Sequence, residues 1–69
     1  MIAIQVNGTP RQVASGATVS DLIDQVLGAQ SQAGVAVAVN GAVVLRTDWP
    51  AVLLSSGDAI EIIRATQGG

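Results

Sequence analysis

The sequence predicts an α+β domain in which one helix covers one face of a mixed sheet of four to five strands. Three observations carry this reading. Apolar residues alternate with a period of two around Ile4, Val37 and Ile62, the mark of half-buried strands. Two Asn-Gly pairs, Asn7-Gly8 and Asn40-Gly41, supply hairpin turns, because a type I′ turn needs positive φ at both central positions. A single stretch, 18–28, repeats instead at helical spacing. Neither a lone helix nor a lone sheet can hide its apolar side, so each must cover the other.

Taken in order, Ile2, Ile4 and Val6 alternate with Ala3 and Gln5 to form the first strand. After the Asn7-Gly8 turn a second strand is expected over 9–14. Pro10 cannot donate to a ladder, which places that strand at a sheet edge. Ser15-Gly16-Ala17 breaks it. Thr18 then has the chemistry of a helix N-cap, and Asp21 three residues on completes a capping box, with Asp in place of the usual Glu. The Asp21 carboxylate also suits the positive end of the helix dipole. Val19, Leu22, Ile23, Val26 and Leu27 make one apolar stripe, and Gly28 is the expected stop. A polar connection, 29–34, follows.

Val35, Val37 and Val39 alternate with Ala36 and Ala38 in the third strand. The valines are expected against the helix, since they bury more area per residue. Asn40-Gly41 turns the chain into a fourth strand expected over 42–46. Thr47-Asp48-Trp49-Pro50 reads as a short helical turn or loop, with Trp49 packing over one end of the core. The segment 51–54 is an apolar loop or short strand. Ser55-Ser56-Gly57-Asp58 turns into the last strand, 59–64, with Ile60 and Ile62 on one face and Glu61 and Ile63 on the other.

Composition narrows the chemistry. Sixty-nine residues make one small domain, with no linker or low-complexity segment. Cysteine and histidine are both absent, which removes thiolate nucleophiles, disulfides, the commonest general base and the commonest metal ligands. The net charge is −2, and only Arg11, Arg46 and Arg64 are cationic side chains. With Trp49 the sole aromatic, neither the basic face nor the stacking platform of a nucleic-acid binder is present. No apolar run approaches the ~20 residues that span a bilayer, and the start has no basic leader. A cytoplasmic location, with no membrane partner, is the expectation. Asp21 and Glu61 read as a cap carboxylate and a solvated strand residue, not as an acid–base pair.

The segment 65–69, Ala-Thr-Gln-Gly-Gly, reads differently from the body at 1–64. Glycine loses the most backbone entropy when ordered, so Gly68 and Gly69 are poor material for a folded element. They suit a flexible thread, thin enough without Cβ atoms to enter a narrow tunnel in another protein.

Together these stretches resemble the β-grasp, or ubiquitin-like, fold, and more narrowly the sulfur carriers of thiamine biosynthesis, the ThiS type of the ThiS/MoaD family. The resemblance lies in the first strand ending at Asn7-Gly8, in the turn into the helix from Gly16 to Leu22, and in the third strand and hairpin from Val35 to Gly41. It continues in the Arg46-x-x-Trp49 segment, the Gly57-Asp58 turn before Ile60-Glu61-Ile62, and the terminal Gly68-Gly69. It spans nearly the whole chain, and the combination is more specific than any one motif. Leu45 stands where the family often has proline.

The resemblance implies a cycle. An adenylyltransferase of the ThiF type, related to ubiquitin-activating enzymes, uses ATP to turn the Gly69 carboxylate into an acyl-adenylate. Sulfur drawn from cysteine through a desulfurase replaces the adenylate, leaving a thiocarboxylate. Thiazole synthase, of the ThiG type, takes that sulfur. The carrier would bind no cofactor of its own and would not be an enzyme, with ATP used by the partner. Thr66, Gln67 and Gly68 would thread the partner's tunnel. Ile63, Glu61, Ala36 and Ala38 are expected on the uncovered sheet face beside this thread, as a candidate docking patch for the activating enzyme. Exposed apolar residues are also ordinary surface, so the bland reading stands beside this one. Three other functions share the residues: the small subunit of molybdopterin synthase, a ubiquitin-like protein modifier, and an interaction module with an idle tail.

Overall fold

A computed structural model describes residues 1–28 and 34–64. The expected tail, with Thr66, Gln67, Gly68 and Gly69, lies outside the described residues, as does the connection at 29–33. Five strands form one mixed sheet: β1 (Ile2–Val6), β2 (Thr9–Val13), β3 (Val35–Val39), β4 (Ala42–Val44) and β5 (Ala59–Arg64). Their order is β2-β1-β5-β3-β4, and one helix, α1 (Val19–Leu27), packs on one face. The α+β architecture expected from the sequence is the one observed.

Local chemistry accounts for most boundaries. Both Asn-Gly pairs are left-handed at both positions, with φ 51° and 83° at Asn7 and Gly8 and φ 52° and 85° at Asn40 and Gly41. The hairpins are therefore type I′, whose twist matches the flanking strands. β2 lies at the sheet edge with Pro10 opposite Gln5, as the missing N–H requires. The capping box closes in both directions: Asp21 N donates to Thr18 Oγ1 at 3.1 Å, and Thr18 N donates to Asp21 Oδ2 at 3.0 Å. Replacing Thr18 with alanine removes one half of the box and is expected to destabilise the domain by about 1 kcal/mol in a urea titration. A titration midpoint equal to that of the wild type would show that the helix start is held by packing alone.

The core is aliphatic with one ring. Ile4, Val13, Ala17, Val19, Leu22, Ile23, Val37, Trp49, Leu54 and Ile60 are buried together, with Val35 and Val39 packed against them. The valine face of β3 meets the helix, as its greater bulk predicts.

Three expectations are corrected. The fourth strand ends at Val44, not at 46, because Leu45 turns the chain into a 3₁₀ helix, Arg46–Ala51. Trp49 from that helix donates its Nε1–H to the Val44 carbonyl at 3.1 Å, tying the turn to the strand end, and Arg46 lies over the ring at 5.7 Å from its centroid. The second strand ends at Val13, one residue early. On the helix, Val19, Leu22 and Ile23 are fully buried but Val26 is 37% exposed. The stripe is angularly right, but the fully buried contacts belong to the first two turns, with Leu27 only partly buried against the core.

The segment after the 3₁₀ helix pairs where the sequence offered a loop or a strand. Val19 N donates to the Val52 carbonyl and Leu54 N to the Ala17 carbonyl, each at 2.9 Å. This short crossing ties 52–54 to the entrance of the helix and buries Leu54.

Candidate functional site

β5 is the element that brings the chain to residue 65. It sits between two neighbours, parallel to β1 and antiparallel to β3. Ile60 is buried and Ile62 packs against the core. Alternation then sends Glu61 and Ile63 to the face away from the helix.

The register with β3 brings the four expected patch residues together. Ala36 lies opposite Ile63, and Ala38 opposite Glu61. Cross-strand neighbours on one face lie within side-chain reach of one another. Ala36 is too small to cover its partner, so Ile63 keeps 59% of its surface exposed. The patch also extends further than the sequence reading placed it. Val43 lies opposite Ala38 on β4 and is 73% exposed, and Leu45, one residue beyond the strand, is exposed too. The Asn40-Gly41 turn contained the signal for Val43, since a two-residue hairpin fixes the register.

The start of β5 is held by a small polar knot. Asp58 Oδ2 accepts from Ser55 N at 2.7 Å, and its Oδ1 accepts from Asn40 Nδ2 at 2.9 Å. Asn40 Oδ1 in turn accepts from Ala59 N at 2.9 Å. The Gly57-Asp58 pair is thus a structural turn: Gly57 supplies φ 87° and Asp58 supplies the acceptors.

Acid–base chemistry has no assembled site among the described residues. Asp21 is engaged in the helix cap, and Glu61 lies on the opposite side of the sheet from the helix. An open depression before the helix is lined by Ser15, Gly16, Asp21 and Asp24, but the Asp21 carboxylate there already accepts from Thr18. Among the described residues no cluster of three metal-ligating side chains occurs, and no helix is long and apolar enough to cross a membrane. What the arrangement offers is a strand paired on both sides that runs to Arg64, with a small apolar patch on its outer face.

Comparison with known proteins agrees with this form. The model of the ThiS family matches residues 4–69. The sulfur carrier protein ThiS of Escherichia coli (strain K12) is 36% identical over 66 residues, covering 96% of this chain and 97% of that protein. The crystal structure of a thiamine biosynthesis protein (ThiS) from Geobacter metallireducens superposes with a TM-score of 0.81 at 33% identity, over 99% of this chain and all of that one. An NMR solution structure of a thiamine biosynthesis protein from the same organism gives a TM-score of 0.77 at 33% identity, covering 99% of this chain and 88% of that one.

Proposed function

The chain belongs to the ThiS family and is a sulfur carrier of thiamine biosynthesis, and from that premise we propose that the sulfur is carried as a thiocarboxylate on Gly69. The observation that carries this reading is that the family match runs through Gly68 and Gly69, behind a body of the matching fold.

A carboxylate is a poor electrophile. An adenylyltransferase with ATP converts the Gly69 carboxylate to an acyl-adenylate and releases pyrophosphate. A sulfur nucleophile supplied through a cysteine desulfurase then displaces AMP, and thiazole synthase accepts the sulfur. Glycine suits both ends of this cycle: its carbonyl carries no side chain to obstruct the incoming sulfur, and Gly68 adapts its backbone without a Cβ clash. The partners supply the catalytic groups, and Thr66, Gln67 and Gly68 thread their tunnels. A chain with neither cysteine nor histidine fits the part of a carrier acted upon by enzymes in the cytoplasm. Intact mass after incubation with adenylyltransferase, ATP and a sulfur source tests the reading. Exchange of one oxygen for one sulfur is expected on the fragment bearing Gly69; a chain of unchanged mass, or one conjugated through Gly69 to lysine, would refute it.

The exposed patch supplies the dock. Ile63, with Ala36, Ala38 and Glu61 around it, meets the adenylyltransferase, and Val43 extends the contact. Ile63→Asp is expected to raise the KM for the carrier about tenfold or more with little change in melting temperature, because Ile63 is largely solvated in the free protein. Adenylation at the wild-type KM would remove this face from the interface.

A further inference from the structure

β5 reaches past the strand that supports it. The parallel pairing with β1 covers only Gln5↔Ala59 and Val6↔Ile60. Its last backbone bond runs from Asn7 N to the Ile60 carbonyl at 2.9 Å, after which Gly8 turns the chain away into β2. β3 continues beside β5 on the other side as far as Val35↔Arg64. On the β1 side, the strand that leads to residue 65 has lost its neighbour at Ile62.

The Asn7 side chain takes that neighbour's place. Its Oδ1 accepts from Ile62 N at 2.9 Å, and its Nδ2 donates to the Ile62 carbonyl at 3.2 Å. A carboxamide carries the same donor–acceptor pair as a peptide group, so it can extend a ladder by one rung. Left-handed backbone at this position would be served as well by glycine and tolerably by aspartate. Only asparagine serves the turn and supplies both halves of the rung. Aspartate would keep the bond from Ile62 N but set a second oxygen against the Ile62 carbonyl.

We propose that Asn7 is a positioning residue of the carrier: its amide clasps Ile62 and so fixes the direction in which β5 sends the chain toward Gly69. The inference rests on the thiocarboxylate reading above and adds to it the element that aims the reacting end. Asn7 and Ile62 are 55 residues apart, so the clasp also joins the first hairpin to the last strand.

The second Asn-Gly hairpin provides the control. Asn40 has nearly the same backbone, φ 52° against 51°, and its side chain also holds β5, but at the start of the strand through Ala59 and Asp58. Asn7→Gly and Asn40→Gly each keep the left-handed turn and delete one amide. Both are expected to lower the melting temperature. Asn7→Gly alone is expected to speed hydrogen exchange at the Ile62 amide about five- to tenfold, the equivalent of one hydrogen bond. It is also expected to lower kcat for adenylation by a ubiquitin-activating-type adenylyltransferase and ATP by a similar factor. KM should stay near the wild-type value, because the docking patch is untouched. Asn7→Asp should follow Asn7→Gly in kcat while melting closer to the wild type. Equal kcat in Asn7→Gly and Asn40→Gly, or a wild-type kcat in Asn7→Asp, would overturn the proposal, as would an unchanged Ile62 exchange rate. Absence of adenylation in the wild type would instead refute the carrier reading, leaving the exchange rates to decide whether the clasp exists.

Discussion

Appending one alanine after Gly69 is expected to abolish thiocarboxylate formation while leaving the fold unchanged. An extended residue advances the chain by about 3.5 Å. The activated carboxyl would then stand that far from its place in the partner's site and would carry a methyl group beside the attacked carbon. Misplacement of reacting groups by about 1 Å can already cost roughly a hundredfold. The combined displacement and obstruction should therefore lower the rate by about a thousandfold or more. Melting temperature is expected to stay constant, because the addition lies beyond β5 and the whole buried core. Intact mass reads the product directly, and growth without thiamine reads its consequence. A strain that grows normally on the extended chain, with the alanine still attached, would show that the terminal acyl group is not the carrier of sulfur.

Leu22→Ala is the substitution expected to damage the fold most. Leu22 is fully buried in the centre of the stripe that α1 lays on the sheet. Truncating a buried leucine removes its transfer energy and leaves a cavity, together about 2–5 kcal/mol. A domain of this length holds only about 3–5 kcal/mol in all. The melting temperature should fall by about 10 °C or more, with a large unfolded fraction at 37 °C. Val26→Ala is the matched comparison. It sits on the same stripe but is 37% exposed, so its truncation should shift the melting temperature by only a few degrees. Circular dichroism on both variants decides the matter. Equal losses would mean that the last helical turn carries as much of the core as the first two.

The candidate patch shows how far a strand pattern reaches. Alternation alone put Glu61 and Ile63 on the outer face of one strand and Ala36 and Ala38 on the outer face of another. That these faces coincide, with Ala36 opposite Ile63, follows from the β3–β5 register. Register is set by pairing across the 19 residues, 40–58, that separate those strands in sequence, which alternation within one strand does not encode. Leu45 shows the opposite limit. Its apolar side chain continued the strand pattern of 42–44, but the 3₁₀ helix held by Trp49 ended the strand before it. Burial of the Trp49 ring in the core overrode a local preference there.

The two Asn-Gly turns divide what each level decides. Their left-handed backbone, the capping box at Thr18 and Asp21, the helix stop at Gly28 and the edge position of Pro10 were all legible in the sequence. Each depends on atoms a few residues apart, whose geometry is set by sterics and local hydrogen bonding. The parallel meeting of β1 with β5, the joining of 52–54 to the helix entrance and the grip of Asn7 on Ile62 were decided only in the tertiary structure. Those bonds close loops of tens of residues. They exist because collapse around the aliphatic core brings distant backbone groups together and leaves their polar atoms to be satisfied there.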